Sequence, residues 1–348
     1  MREELRLGNS TPISERLLRS LEDVRDSGNQ AILFLNRRGY SSQISCKGCG
    51  EVMSCPRCSV SLTYHTSQNG GKLLCHLCGY TEPVPHSCPS CSSESLSFLG
   101  FGTQKVEGAL NEYIPDMRVL RMDADTTGQK QAYDRMIDGF RQGREDILLG
   151  TQMVAKGHDF PRVTLVGVVL ADTSLFVSDF RASEKTFSLL TQVIGRAGRA
   201  SDNGVAVLQT YSPTNEIIRL ACTQDYDTFF DQEITLRKLL TFPPFCDIAL
   251  MTVSHTNEQE LFVATKMLGD MYSKLLKEKY TDVPQVTFGP FEAPVYKVDD
   301  RFRMRFVIKC RLNNRSRELF SEIMRGFVAS FSSSKKPQLA IDFNPTNL

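Results

Sequence analysis

The sequence predicts an α/β chain built on a parallel sheet and followed by an α+β domain, and three observations lead there. Between residues 14 and 210, short strands that are apolar on both faces alternate with amphipathic helices, the pattern of a parallel sheet covered by helices on each side. Four C-x-x-C pairs crowd a Gly-, Ser- and Pro-containing stretch from Cys46 to Cys91, which interrupts the alternation after its first strand. Beyond Ser212 the order becomes βαββαβ, the split βαβ or ferredoxin-like arrangement.

Each element has a local reason. SERLLRSLEDVRD (14–26) places Leu17, Leu18, Leu21 and Val24 at helical spacing, with Ser14 as the cap and Gly28 beyond the end. AILFL (31–35) is a short buried strand, a second strand runs to Phe101, and GFGT turns the chain into a helix from about Gln104. MRVLRMD (117–123), DILLGT (146–151), VTLVGVVLAD (163–172) and GVAVLQT (204–210) are strands, and helices fill 130–143 and 184–196. DYDTFFDQEITLRKLL (225–240) is a charged amphipathic helix that FPPF stops. Strands then fall at 247–254, 285–289, 303–310 and 338–343, with helices at 258–279 and 316–331. The implied domains are 1–45 with 93–215, an insertion at 46–92, a helical linker at 216–244 and an α+β domain at 245–348.

A chain of 348 residues with 41% apolar side chains can bury two or three cores. Its formal charge of +1 argues neither for nor against nucleic acid, because local patches bind whatever the total. No apolar run is long enough to span a membrane, and MREELRLGNS lacks the apolar core of a signal peptide. A cytoplasmic location with reduced thiols is the expectation, with no membrane partner.

The pairs Cys46/Cys49, Cys55/Cys58, Cys75/Cys78 and Cys88/Cys91 are knuckles, each able to present two thiolates to one ion. Two knuckles complete a tetrahedral Zn²⁺ site, so eight thiolates specify two structural Zn²⁺ ions. Iron–sulfur is the lesser alternative. Cys55–Cys58 with Cys75–Cys78 has the spacing of a zinc ribbon, which leaves Cys46–Cys49 to meet Cys88–Cys91 where the insertion leaves and re-enters its domain. Such closed sites contribute roughly 10–16 kcal/mol of apparent folding free energy. His65, His76 and His86 are not needed as ligands, and the isolated Cys222, Cys246 and Cys310 read as core or neutral residues.

TQVIGRAGRA (191–200) sets Arg196 and Arg199 three positions apart between glycines. Guanidinium forks match phosphate oxygens, and the spacing puts both on one side of a helical turn; a solvated basic helix end is the plain alternative. GTQMVAKGHDFP runs from a strand end into a glycine-bearing loop, where parallel sheets bind ligands. LFLNRRGYSS places Arg37 and Arg38 after the first strand.

These stretches resemble the second RecA-like lobe of superfamily 2 helicases, GTQM…KGHDFP matching motif V and QVIGRAGR motif VI. With NRRGY, the eight-cysteine insertion, GFGT, RMDADT and DFRASE, the chain resembles the C-terminal half of the primosomal protein N′ (PriA) family of replication-restart helicases, from about Pro12 to the closing IDFNP. The resemblance implies ATP-dependent 3′→5′ DNA unwinding and primosome assembly at forks. It also implies branched, forked and single-stranded DNA as partners, with other primosome proteins and single-stranded-DNA-binding protein. By motif, Arg196 and Arg199 would be arginine fingers on the γ-phosphate, Gln192 would orient it, Asp159 would hold the ribose and Gly157 would permit the tight loop. Thr151 and Lys156 would touch DNA backbone; Arg37 and Arg38 are lesser DNA-contact candidates, with a salt bridge the alternative for Arg38, and Asp123 and Asp125 read as turn caps.

No G-x-x-x-x-G-K-[ST] loop occurs, the sole Gly-Lys being Gly71-Lys72 in the cysteine-rich stretch, and no DExH-type acidic box is present. ATP with Mg²⁺ would be cradled on a first lobe outside this chain, which alone is expected neither to hydrolyse ATP nor to unwind DNA. The strand YKVDDRFRMRFVIKCR (296–311) alternates Arg303 and Arg305 with Met304 and Phe306. One basic and one apolar face result, read as a DNA-backbone contact or as an ordinary solvated strand. Two other functions remain open: a zinc-ribbon binding module on a non-catalytic RecA-like scaffold, and a related superfamily 2 branch-migration helicase.

Overall fold

The computed structural model describes residues 1–9, 11–35, 43–56, 61–65, 71–75, 78–98, 103–122, 130–151, 160–197, 204–331 and 336–348. The chain divides into two compact units. One comprises Met1–Met53, Pro85–Val177 and Arg181–Phe230, the other Ser54–Val84, Ser178–Phe180 and Asp231–Leu348.

The first unit is built on a five-stranded sheet in the order Val205–Leu208, Val163–Val168, Gln30–Phe34, Ile147–Gly150, Val119–Met122, parallel throughout. Side-chain alternation divides its strands between two cores. Ala31, Leu33 and Leu149 pack with Leu17, Leu21, Val106 and Leu110 from the helices Glu15–Asp26 and Thr103–Tyr113. Ile32, Phe34 and Leu148 pack with Ile137, Phe140, Phe187 and Leu190 from Lys130–Arg141 and Ala182–Ile194. Ser14 caps the first of these helices as expected, its Oγ accepting from the Leu17 amide at 3.3 Å. Gly167 sets how closely that helix approaches the sheet, since a Cβ there would lie 2.5 Å from a Leu33 methyl and 2.9 Å from a Leu17 methyl.

The structure differs from the sequence reading at several element ends and in one strand, since the strand read as running to Phe101 is Leu96–Phe98 and lies outside the parallel sheet. The strand from Val163 stops at Val168, and Ala171–Ser174 form a 3-10 turn. The helix expected over 184–196 spans Ala182–Ile194, with Gly195 at its C-cap. Part of the linker is a separate helix, Glu216–Thr223, capped by Asn215. Ile44–Cys46 pairs antiparallel with Leu96–Phe98, so the cysteine-rich stretch leaves and re-enters this unit at one place.

The second unit holds a four-stranded antiparallel sheet in the order Gln285–Val298, Arg301–Cys310, Asp247–His255, Gln338–Phe343. Helices Glu258–Glu278 and Asn314–Ala329 pack on it, burying Leu261, Leu268, Ile323 and Phe327 against Met251, Met304 and Phe306. Chain order and strand order together are those of the split βαβ fold. The strand expected at 285–289 continues to Val298, with register shifts between Phe288 and Phe291 and between Glu292 and Lys297. A small three-stranded antiparallel ribbon, Thr63–His65, Lys72–Leu74 and Thr81–Pro83, belongs to the same unit.

Candidate functional site

Backbone geometry shapes the metal-ligand candidates before any side chain is considered. In the knuckle that begins at Cys46, the Cys46 amide donates to the Glu51 carbonyl and the Gly50 amide to the Cys46 carbonyl, both at 2.8 Å. The same pair of bonds recurs from Cys75 (to Tyr80, from Gly79) and from Cys88 (to Ser93, from Ser92). Each closes on a left-handed residue, Gly50 at φ +75°, Gly79 at +73° and Ser92 at +58°, a conformation that favours glycine. The loop so formed leaves its two cysteine sulfurs on one side.

The sulfurs of Cys46, Cys49, Cys88 and Cys91 all lie within 4.8 Å of one another. Cys46 and Cys91 are 3.6 Å apart and Cys49 and Cys88 3.5 Å, far beyond a disulfide bond and close to the edge of about 3.7 Å that four thiolates make around a tetrahedral zinc. Burial opposes ionisation of Cys46, but the amides of Cys49 and Gly48 and the neighbouring thiols outweigh it and bring its pKa down to about 7. Burial and the same neighbours push Cys49 up to about 12. A cluster that already holds one thiol near ionisation suits a cation, which would convert the others to thiolates. The four residues fit a structural Zn²⁺, whose chemistry is to cross-link the loop ends. Cys55, Cys75 and Cys78 form the second cluster, with Cys55 and Cys78 sulfurs 3.6 Å apart. Cys58 lies outside the described residues.

Three of the candidate residues in the helicase-like motifs are described, each at or near the C-terminal end of an element. Thr151 is half-buried just after the strand Ile147–Gly150, and Gln192 is exposed on the helix Ala182–Ile194. Arg196 follows that helix in a turn held by its amide donating to Val193 at 3.1 Å. A finger is expected at an open cleft, yet Arg196 is only 8% exposed. Its charge is felt by Tyr133, whose phenol is raised by burial and by Asp134 and drawn back by Arg196. Arg199, Lys156, Gly157, Asp159, Arg37, Arg38, Asp123 and Asp125 lie outside the described residues.

One residue in this region was not singled out in the sequence. Asp172 is fully buried where the strand Val163–Val168 runs on into its turn. It accepts from the Thr210 hydroxyl at 2.7 Å and from the amides of Tyr211 and Ser212 at 2.9 and 3.2 Å. Burial raises its pKa despite these donors. The signal available was an acid closing the apolar run VVLAD.

The basic strand Arg301–Cys310 has the expected apolar face, with Met304, Phe306, Ile308 and Cys310 in the core beneath the helices. Its other face is not the open cationic ladder that the alternation suggests. Arg303 spends Nε and Nη2 on the Val295 carbonyl, at 3.1 and 2.6 Å. Lys309 donates to the Leu240 carbonyl at 2.8 Å and stands 3.7 Å from the centroid of the Phe242 ring. Arg305 is 6% exposed, its Nε is buried without an acceptor, and burial together with Arg303 pushes its pKa down to about 10. Among the described residues, no helix is long and apolar enough to cross a membrane.

Three family models match the chain: Helicase conserved C-terminal domain over 93–201, PriA DNA helicase Cys-rich region domain over 55–83, and Primosomal protein N C-terminal domain over 238–346. Replication restart protein PriA of Bacillus subtilis is 45% identical over 345 residues, 99% of this chain and 42% of that protein. The protein of the same name from Synechocystis is 41% identical over 311 residues, 89% of this chain and 37% of its own. The helicase domain of Pyrococcus furiosus Hef aligns over 60% of this chain and 28% of that chain, at 14% identity and a TM-score of 0.29. The chain thus spans about two-fifths of the length of the curated relatives it matches.

Proposed function

The chain belongs to the PriA family of replication restart proteins, and on that premise we propose that it is the second motor lobe, metal module and C-terminal domain of an ATP-dependent 3′→5′ DNA helicase that reassembles the replication machinery at forks. The observation that carries this reading is the run QVIGRAGR, whose first three residues close the helix Ala182–Ile194 in the unit built on a five-stranded parallel sheet. Arg199 and Arg196 are the fingers that complete an ATP site, Gln192 orients the terminal phosphate, and Asp159 and Gly157 form the ribose-side loop. Thr151, Lys156 and Arg37 hold DNA backbone, which positions a strand without reading its sequence. Mg²⁺ and the nucleotide's phosphates would be cradled by groups outside this chain, with Arg196 and Arg199 reaching the terminal phosphate from this side.

The partners in this reading are forked, branched and single-stranded DNA, other primosome proteins and single-stranded-DNA-binding protein, and the setting is the cytoplasm. The domain limits at residues 46, 93, 216 and 245 belong to the same proposal. The burial of Arg196 favours one second reading, a zinc-ribbon binding module on a non-catalytic scaffold. ATPase assays separate the two. The chain alone is expected to be inactive, and mixing it with a separately expressed first lobe is expected to give DNA-stimulated hydrolysis. No turnover from a mixture that forms a stable complex would favour the binding module.

A further inference from the structure

The outer cysteine cluster sits on a ribbon whose three strands are each three residues long, too little sheet to be stable alone. Within the same compact unit, two consecutive residues of the edge strand Gln285–Val298 grip it. Glu292 Oε1 accepts from Lys72 Nζ at 2.9 Å, and its Oε2 lies 3.3 Å from His65 Nδ1. Lys72 and His65 are paired across the ribbon's first two strands, so one carboxylate ties both. Phe291, buried beside it, lies 3.2 Å from where a Cβ of Gly79 would stand, and Gly79 directly follows the ligand candidate Cys78. Inside the ribbon, the Tyr64 ring lies against Gly71 so closely that any side chain there would collide.

We propose that Glu292 is a positioning residue for the outer metal centre: by clamping Lys72 and His65 it holds the ribbon on the C-terminal sheet, in the geometry that brings Cys55, Cys75 and Cys78 together. The contacts that hold a metal site's surroundings govern how well the ion is retained, and coupling between two parts of a structure is reciprocal. An ion in the outer site therefore also steadies the edge strand. The Glu292 carboxyl, drawn down to about 2 chiefly by its hydrogen bond to His65 and, against the cost of burial, by Lys72, remains an anion at every pH where thiolates hold zinc. This proposal requires metal in the cysteine clusters but not the motor function.

The test is zinc release from the full chain, followed with the chromogenic chelator 4-(2-pyridylazo)resorcinol. Two release phases are expected, and Cys75→Ser identifies the outer one by abolishing it. Glu292→Gln, which keeps the shape and removes the charge, is expected to speed the outer phase about tenfold, the lower end for losing a supporting contact, and to leave the inner phase unchanged. Lys72→Ala is expected to speed the same phase, and the double variant to add little beyond either single change. An outer phase unchanged within about twofold, or both phases accelerating together as from general destabilisation, would overturn the proposal. A second readout is hydrogen exchange of residues 285–298, which is expected to rise in Cys75→Ser; unaltered protection there would overturn the reciprocal half.

Discussion

Cys46 and Cys91 hold their sulfurs 3.6 Å apart across 45 positions of sequence. That relationship converts an insertion into a closed loop, since the paired strands Ile44–Cys46 and Leu96–Phe98 bring its ends together beside the sulfurs. The inner cluster serves the lobe that carries the QVIGRAGR run, and the outer cluster belongs to the unit of the C-terminal sheet.

The metal count follows. Native mass spectrometry of protein purified without chelator is expected to give two zinc ions per chain. Cys88→Ser is expected to lose one of them and to unfold earlier in urea, because binding free energy at such sites is folding free energy. One ion or none in the unaltered chain contradicts the pairing of knuckles across the insertion.

Asp172→Ala should destabilise the lobe by about 1–3 kcal/mol, because it deletes a buried carboxylate that accepts from the Thr210 hydroxyl and from the amides of Tyr211 and Ser212. Urea unfolding measures it as a lower midpoint. An unchanged midpoint would mean that water replaces the carboxylate, and that the residue does not fix the chain after the last strand.

Much of this was legible before the structure. Strands such as Gln30–Phe34 are buried at every position, and that leaves an unmistakable apolar run. The cysteines were legible because ligand chemistry is written in local spacing. The end of the strand Val163–Val168 was not, because Val169, Leu170 and Ala171 remain buried after the ladder has stopped, and apolar sequence reports burial rather than pairing. The strand read as 285–289 continues to Val298, because the chain carries Gly289, Pro290 and Pro294 through shifts of register and does not stop at them. Alternation revealed the two faces of Arg301–Cys310, but the sealing of Arg305 depends on tertiary neighbours that no local pattern encodes.

Asp146 offers a test by pH. Its carboxylate accepts from Arg118 Nε, Nη2 and the backbone amide at 2.8–2.9 Å, and the guanidinium hydrogen bonds hold its pKa below the ordinary value, against a smaller effect of burial. A depressed carboxyl stabilises the fold above its unfolded pKa of about 3.9, and that contribution fades as pH falls through the lower folded value. Asp146→Asn is therefore expected to be less stable than the unaltered chain at pH 7, with the gap closing toward pH 3 in urea titrations. A gap independent of pH contradicts the charge as its source.

On the C-terminal sheet the two arginines should behave differently. Arg303 is half-buried and shares its donors with one carbonyl, so Arg303→Ala is expected to weaken forked-DNA binding and to reduce the slope of log K against log salt by about 1. Arg305→Ala, at a sealed position, should change stability more than that slope. Fluorescence anisotropy between low and moderate salt distinguishes them, and equal salt slopes in all three proteins would remove Arg303 from the DNA surface.

The most direct test of the proposed function is the turnover of Arg199→Ala in a mixture of this chain with a separately expressed first lobe, compared with the unaltered mixture at saturating ATP and DNA. A finger that meets the γ-phosphate predicts a fall of roughly 10³-fold or more in hydrolysis, with DNA affinity retained. Turnover within a few-fold of the unaltered enzyme would contradict the claim that this lobe completes an ATP site.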